Sequence, residues 1–178
     1  MREYLTLSDD ALLAQCEQHI YKASGPGGQH RNKVSSAVRL HHQPTKITAT
    51  ANDSRSQHDN RKNAIRRLRM NIATKLRADA PAETRVPEII ARFLHLPKRA
   101  KHDAEMKNRL EVGRKHKDYW HVAAVLLDCL AADRAQLSTT AKRFGITTSN
   151  LIRTIKADRH FLEAAQNLRK QHSLSPIK

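Results

Sequence analysis

Three of the five glycines in this 178-residue chain fall within Ser24-Gly25-Pro26-Gly27-Gly28-Gln29-His30, and this cluster constrains the fold more than any other stretch. Glycine reaches positive φ without steric cost and proline fixes its own φ, so the segment is a shaped loop with two side-chain-free residues at its tip. Alternating runs lie on either side of it. Cys16 to Ala23 reads as a strand leading into the loop, and Val34 to His41 as a second strand with Val34, Ser36, Val38 and Leu40 on one face. Gln43-Pro44-Thr45-Lys46 is a turn into a third strand, Ile47 to Ala51, while Ser8-Asp9-Asp10 opens a short helix from Leu7 to Gln15.

The period then changes. Ile65, Leu68, Ile72 and Leu76 recur at three- and four-residue intervals, which predicts an amphipathic helix from Ser54 to Arg77, with Ser54 and Gln57 as a capping box. A small antiparallel sheet covered by this basic helix is an α+β layer. Pro81, Pro87 and Pro97 place a boundary near residue 80, so 1–80 forms one domain and 81–117 a basic linker holding a short helix from Glu88 to Leu96. The remainder, 118–178, reads as a small all-α domain. Its first helix, Asp118 to Ala132, carries Trp120, Val122, Leu126, Leu127 and Leu130. Ala141, Gly145 and Leu151 follow at helix-turn-helix spacing, which serves either packing or nucleic-acid contact.

Charge narrows the partner. Lys and Arg number 33 against 17 acidic residues, a formal charge of +16, so the chain is built to meet a polyanion. Between Arg55 and Arg77 there are eight basic residues and one acid, Asp59. That imbalance on one helix points to phosphate contact. Aromatic residues make up only 4%, which argues against recognition of RNA by a stacking platform.

Gln29 carries the loop's chemistry. Its amide offers two donors and an acceptor but no proton that titrates near neutrality, so it orients water and donates hydrogen bonds rather than acting as a general base. The residues after it are Asn32-Lys33-Val34-Ser35-Ser36-Ala37-Val38-Arg39-Leu40, His42-Gln43-Pro44-Thr45, Arg55-Ser56-Gln57, Asn60-Arg61 and Ala64. Over roughly residues 15 to 77 this ordered set resembles the peptidyl-tRNA hydrolysis domain of the class I peptide chain release factors and of the small ribosome-rescue factors built on it.

The resemblance implies that Gly27, Gly28 and Gln29 form the catalytic loop. It would be inserted beside the 3′ end of P-site peptidyl-tRNA in the large ribosomal subunit. The Gln29 main-chain N–H would stabilise developing charge and its side chain would position water. Arg31, Lys33, Arg39, Arg55, Gln57, Arg61, Lys62, Arg66, Arg67 and Arg69 become the expected contacts to ribosomal RNA or tRNA. A glutamine methyltransferase acting on Gln29 is a further partner to consider, and no cofactor is required.

The chain also departs from that pattern. The decoding release factors carry stop-codon-reading domains for which these 178 residues leave no room, and Ser175-Pro176-Ile177 is only superficially like a codon-reading tripeptide. The dense basic tail of rescue factors is missing too, with three basic residues from Asn167 to Lys178. The layout is closer to small release-factor-like bacterial proteins. Two functions follow as expectations. One is ribosome-dependent, stop-codon-independent hydrolysis of the peptidyl-tRNA ester to rescue stalled ribosomes. The alternative is an RNA- or ribosome-binding factor, or a helix-turn-helix regulator, without hydrolytic activity.

Little else in the sequence carries chemistry. Cys16 and Cys129 form no CxxC pair, and the histidines show no metal-ligand spacing. Asp128 interrupts the best apolar run, and Asp9-Asp10 stand where a leader peptide is basic and apolar. A cytoplasmic, monomeric protein without membrane partners is the expectation.

Overall fold

The computed structural model describes residues 2–22, 35–81, 86–96 and 107–178. The motif at 24–30, together with Arg31 and Lys33, lies outside the described residues. The fold is α+β, and the chain divides into two compact units, residues 3–72 and residues 1–2 with 73–178.

The first unit begins with two short helices, α1 (Glu3–Thr6) and α2 (Asp9–Ala14). Ser8 caps α2, its Oγ accepting from the Ala11 N–H at 3.1 Å. Three antiparallel strands follow in the order β1-β2-β3: β1 (Cys16–Tyr21), β2 (Ala37–His42) and β3 (Thr48–Ala51). The turn from β2 to β3 closes through Lys46, which takes φ +57°, and through a bond from the His42 N–H to the Ile47 carbonyl at 2.9 Å.

Register fixes which residues face inward. Gln18, Leu40 and Ala49 are paired across the sheet, as are Ile20, Val38 and Ala51, so both rows lie on one face. Val38, Leu40, Ala49 and Ala51 are buried with Ala64, Ile65, Leu68 and Ile72 of α3 (Gln57–Lys75). Ile20, on edge strand β1, stays 45% exposed.

Helix α3 starts later than the capping box predicts. Ser56, not Ser54, accepts from an amide of its first turn, that of Asp59, at 3.2 Å. Ser54 instead joins a buried clamp through Asn60. The helix also seals the far edge of the sheet. Arg67 Nη1 donates to the Thr50 carbonyl at 2.7 Å and Asn71 Nδ2 to the Thr48 carbonyl at 2.9 Å, occupying carbonyls of edge strand β3.

The second unit contains α4 (Glu88–Ala91), a two-stranded hairpin β4 (Leu94–His95) and β5 (Arg109–Leu110), and helices α5 (Tyr119–Ala132), α6 (Leu137–Arg143), α7 (Thr148–Lys156) and α8 (Arg159–Gln171). The helix expected from Glu88 to Leu96 ends at Ala91, because Leu94 and His95 pair with Leu110 and Arg109. Helix α5 is buried from Val122 to Leu130 and forms the centre of an apolar core with Ile90, Leu110, Phe144, Ile146, Leu151, Ile155 and Phe161.

Asp128, in the middle of that helix, is satisfied rather than exposed. It receives Arg2 Nε at 2.9 Å, Arg77 Nη1 at 3.3 Å and the Ala78 N–H at 3.1 Å. The spacing that predicts a helix-turn-helix is realised as α6, a turn and α7, with Gly145 at φ +61°. Asn150 anchors α7 to the hairpin by mimicking a strand: its Oδ1 accepts from the Leu110 N–H at 2.8 Å and its Nδ2 donates to the Leu110 carbonyl at 3.2 Å.

Candidate nucleic-acid interface

The chain re-enters the described structure at Ser35, one residue before a buried clamp. Asn60, fully buried in the first turn of α3, donates Nδ2 to the carbonyls of Ser36 (2.7 Å) and Ser54 (2.8 Å), while its Oδ1 accepts from the Ser54 N–H (2.9 Å). One side chain thereby ties the approach to β2 to the start of the basic helix. On the other side, Arg39 places its guanidinium 5.3 Å from the centre of the Tyr21 ring, across the ends of β1 and β2. Both strand ends that flank the glutamine-bearing segment are thus held by side-chain contacts.

His42 braces the opposite end of the sheet. It is fully buried, with Nε2 3.0 Å from Gln15 Oε1 and Nδ1 2.7 Å from Thr45 Oγ1. An amide oxygen only accepts, so Nε2 carries the proton and Nδ1 accepts from the threonine hydroxyl. Burial, and then the neighbouring His41, lower its pKa, which keeps the ring neutral near pH 7.

The basic residues of α3 divide into two groups. Arg67 pairs with Asp53 at 2.9 Å in addition to holding β3, and Arg69, with only 13% of its side chain exposed, pairs with Asp9 at 2.9 Å. These two guanidiniums are already engaged by the protein. Lys62 and Arg66 are exposed one turn apart, and Arg55 is exposed just before the helix. None of these three has an acidic partner within 4 Å among the described residues. Arg61 is half-buried, and its Nε is enclosed with no hydrogen-bond partner among the described residues. Gln57, the first residue of the helix, is half-buried.

The helix therefore presents an uncompensated stripe of cations, with Arg67 and Arg69 fixing its seat. Such a stripe attracts phosphate without reading sequence. Charge counting along the chain finds the stripe. It misses Asn60, Asn71 and His42, whose partners lie 24, 23 and 27 residues away. Both thiols are chemically quiet, since burial raises Cys16 and Cys129 to about 11.

The family model described as the RF-1 domain matches residues 12–117, more than half of the chain and including the motif at 24–30. The chain belongs to the class I release-factor family of GGQ domains. It is 47% identical over 64 residues to peptide chain release factor 1 of Carboxydothermus hydrogenoformans, a match that covers 36% of this chain and 18% of the relative. The corresponding protein of Enterococcus faecalis is 48% identical over 64 residues, with the same coverage. That of Acidiphilium cryptum is 48% identical over 63 residues, covering 35% of this chain and 18% of the relative. The chain thus spans about 18% of the length of these relatives. The family match ends before α5, so α5 to α8 lie outside it. No helix among the described residues is long and apolar enough to cross a membrane.

Proposed function

We propose that this chain acts on the ribosome and promotes hydrolysis of the ester joining the nascent peptide to P-site tRNA, without need of a stop codon. The observation that carries this reading is Gly27-Gly28-Gln29 with its flanking residues inside the segment that matches the family. Water attacks the ester carbonyl and negative charge develops on its oxygen. A main-chain N–H donor at Gln29 would stabilise that charge, and the Gln29 amide would position the water. Losing one such donor commonly costs about 10²- to 10³-fold in rate. Gly27 and Gly28 let the backbone come close to the tRNA end.

Arg55, Lys62 and Arg66, together with Arg31, Lys33, Arg39, Gln57 and Arg61, would hold the first unit on ribosomal RNA or tRNA phosphates. In this reading the protein works as a monomer in the cytoplasm and needs no cofactor, and Gln29 is the residue a glutamine methyltransferase would modify. The segment similar to the relatives named peptide chain release factor 1 covers about 18% of each of them. The helix-turn-helix pair beyond that match favours a second reading, a nucleic-acid-binding factor without hydrolytic activity.

Peptide release decides between them. It is measured on ribosomes stalled on truncated mRNA and on ribosomes paused at a stop codon, with wild type, Gln29→Ala and Gly28→Ala. Rescue predicts release by wild type on both complexes and strong loss in both variants. Equal release by all three proteins refutes the catalytic assignment, and release confined to stop codons refutes rescue.

A further inference from the structure

The second unit carries its own cationic surface, built on the helix-turn-helix pair. The segment from Leu137 to Lys156 contains no acidic residue. Arg143 is bound by Asp133, with Nε 2.8 Å from Oδ1, but Lys142, Arg153 and Lys156 are exposed, with no acidic partner within 4 Å among the described residues. On α7 the residues Ser149, Ile152, Arg153 and Lys156 fall on one stripe, opposite the buried Leu151 and Ile155. Arg153 borders an open groove of about 380 Å³ that is also lined by Arg109 to Gly113. Arg109 is paired with the exposed Glu111 at 3.2 Å, so Arg153 is the groove's cation without an acidic partner within 4 Å among the described residues. Beyond Gly113 the residues Arg114, Lys115 and Lys117 are all exposed.

The chemistry of the stripe separates two modes of binding. Helices that read bases present several Asn, Gln or Arg side chains to base edges, and of these types α7 turns only Arg153 outward. The one amide on α7, Asn150, is buried and has both its donor and its acceptor committed to Leu110. What remains outward is two cations with the hydroxyls of Thr148 and Ser149. Cations hold phosphates, and short hydroxyl side chains suit the 2′-hydroxyls that the wide, shallow minor groove of A-form RNA displays.

We infer that the outer stripe of α7, with the groove beside β5, is a second RNA-binding surface that grips the backbone of double-helical RNA without reading its sequence. The choice of RNA over DNA rests partly on the proposed ribosomal role. The surface itself does not, because α7, whose outer stripe carries it, lies beyond the family match.

The test is fluorescence anisotropy of the full-length protein with a labelled 20-base-pair RNA duplex of arbitrary sequence, across a salt series. Arg153→Ala/Lys156→Ala should weaken binding about tenfold near physiological salt and reduce the slope of log affinity against log salt by about 2. The pair Lys170→Ala/Lys178→Ala removes the same charge from exposed positions elsewhere and should change affinity less than twofold. Equal losses from the two pairs would mean that net charge alone acts, which overturns the site. Binding of the matching DNA duplex as tight as RNA overturns the RNA assignment, and a strong preference among RNA sequences overturns backbone contact. Gln29→Ala should bind the duplex like wild type. A failure of the hydrolytic reading would therefore show in peptide release and leave this result untouched.

Discussion

Replacing Asn60 should loosen the first unit more than any change on its cationic surface. The residue makes three hydrogen bonds, to the Ser54 N–H and to the Ser36 and Ser54 carbonyls, from a site with no exposure. A hydrogen bond contributes about 1 kcal/mol net, and backbone groups left unpaired in a part-buried site carry a similar or larger penalty. Asn60→Ala should therefore destabilise the unit by about 3 kcal/mol, close to two powers of ten in the opening equilibrium. Amide hydrogen exchange along β2, at Val38 and Leu40, should speed up by that factor while amides of α5 keep their protection. Asn60→Asp provides the sharper control. It keeps the acceptor for Ser54 but points a second oxygen at two carbonyls, so at neutral pH it should be at least as damaging as alanine. Acidification protonates the carboxyl and restores one donor, so relative to wild type at the same pH the aspartate variant should recover and the alanine variant should not. Exchange rates within a factor of three of wild type for both variants would refute the reasoning.

The second unit and the titrating groups give further expectations. Asp128→Ala strands Arg2 and Arg77 in surroundings that leave 24% and 27% of their side chains exposed, and should cost about 2 to 3 kcal/mol, seen as a lower melting temperature by Trp120 fluorescence. Gly145→Ala meets only ordinary contact at 3.6 Å from Asn108 Nδ2, so its cost is the strain of φ +61°, about 1 kcal/mol in the same assay. Burial lowers the pKa of His42, so between its unfolded value of 6.5 and its lower folded value the unfolded state binds more protons. Stability of the first unit should hold above pH 6.5 and fall as pH drops below it, by at most about 1.4 kcal/mol per pH unit from this residue. Urea titrations from pH 7.5 to 5 should show that slope in wild type and a flatter one in His42→Gln. Lys62→Ala/Arg66→Ala should weaken ribosome binding and make it less salt-dependent, whereas salt-independent binding by wild type would contradict phosphate contact.

Much of this fold is visible in local pattern. The period-two runs around the glycine loop, the three- and four-residue spacing of Ile65, Leu68 and Ile72, and the small residue, glycine and apolar residue at 141, 145 and 151 each encode their own element, because the information sits within one or two turns. What escapes the pattern is pairing over distance. Ser54-x-x-Gln57 satisfies a capping rule, yet Asn60 captures Ser54 and the helix begins later on Ser56. The hairpin of β4 and β5 is two residues long on each side, too short for any periodicity, so it cuts short a helix that Glu88 to Leu96 would otherwise favour. Charge counting likewise treats Arg66 and Arg67 as equals. Only the fold brings Asp53 and the Thr50 carbonyl to Arg67 and leaves Arg66 facing solvent.

That division of the arginines explains how a chain with a formal charge of +16 keeps both compactness and a directed surface. Uniform positive charge would oppose folding through self-repulsion. Here the acids sit where they relieve it: Asp9 and Asp53 on Arg69 and Arg67, Asp128 on Arg2 and Arg77, Asp133 on Arg143, and Asp158 on the first amides of α8. The arginines so engaged join elements within their own units. The cations without an acidic partner within 4 Å among the described residues include Arg55, Lys62 and Arg66 on or just before α3 in one unit, and Lys142 on α6 with Arg153 and Lys156 on α7 in the other. Neutralising an acid from the first list should therefore cost stability, whereas neutralising a cation from either trio should cost affinity for RNA and leave the melting temperature within about 3 °C, since surface substitutions away from specific contacts stay within about 0.5 kcal/mol. A variant such as Arg66→Ala that unfolds the first unit would show that its charge serves the fold after all.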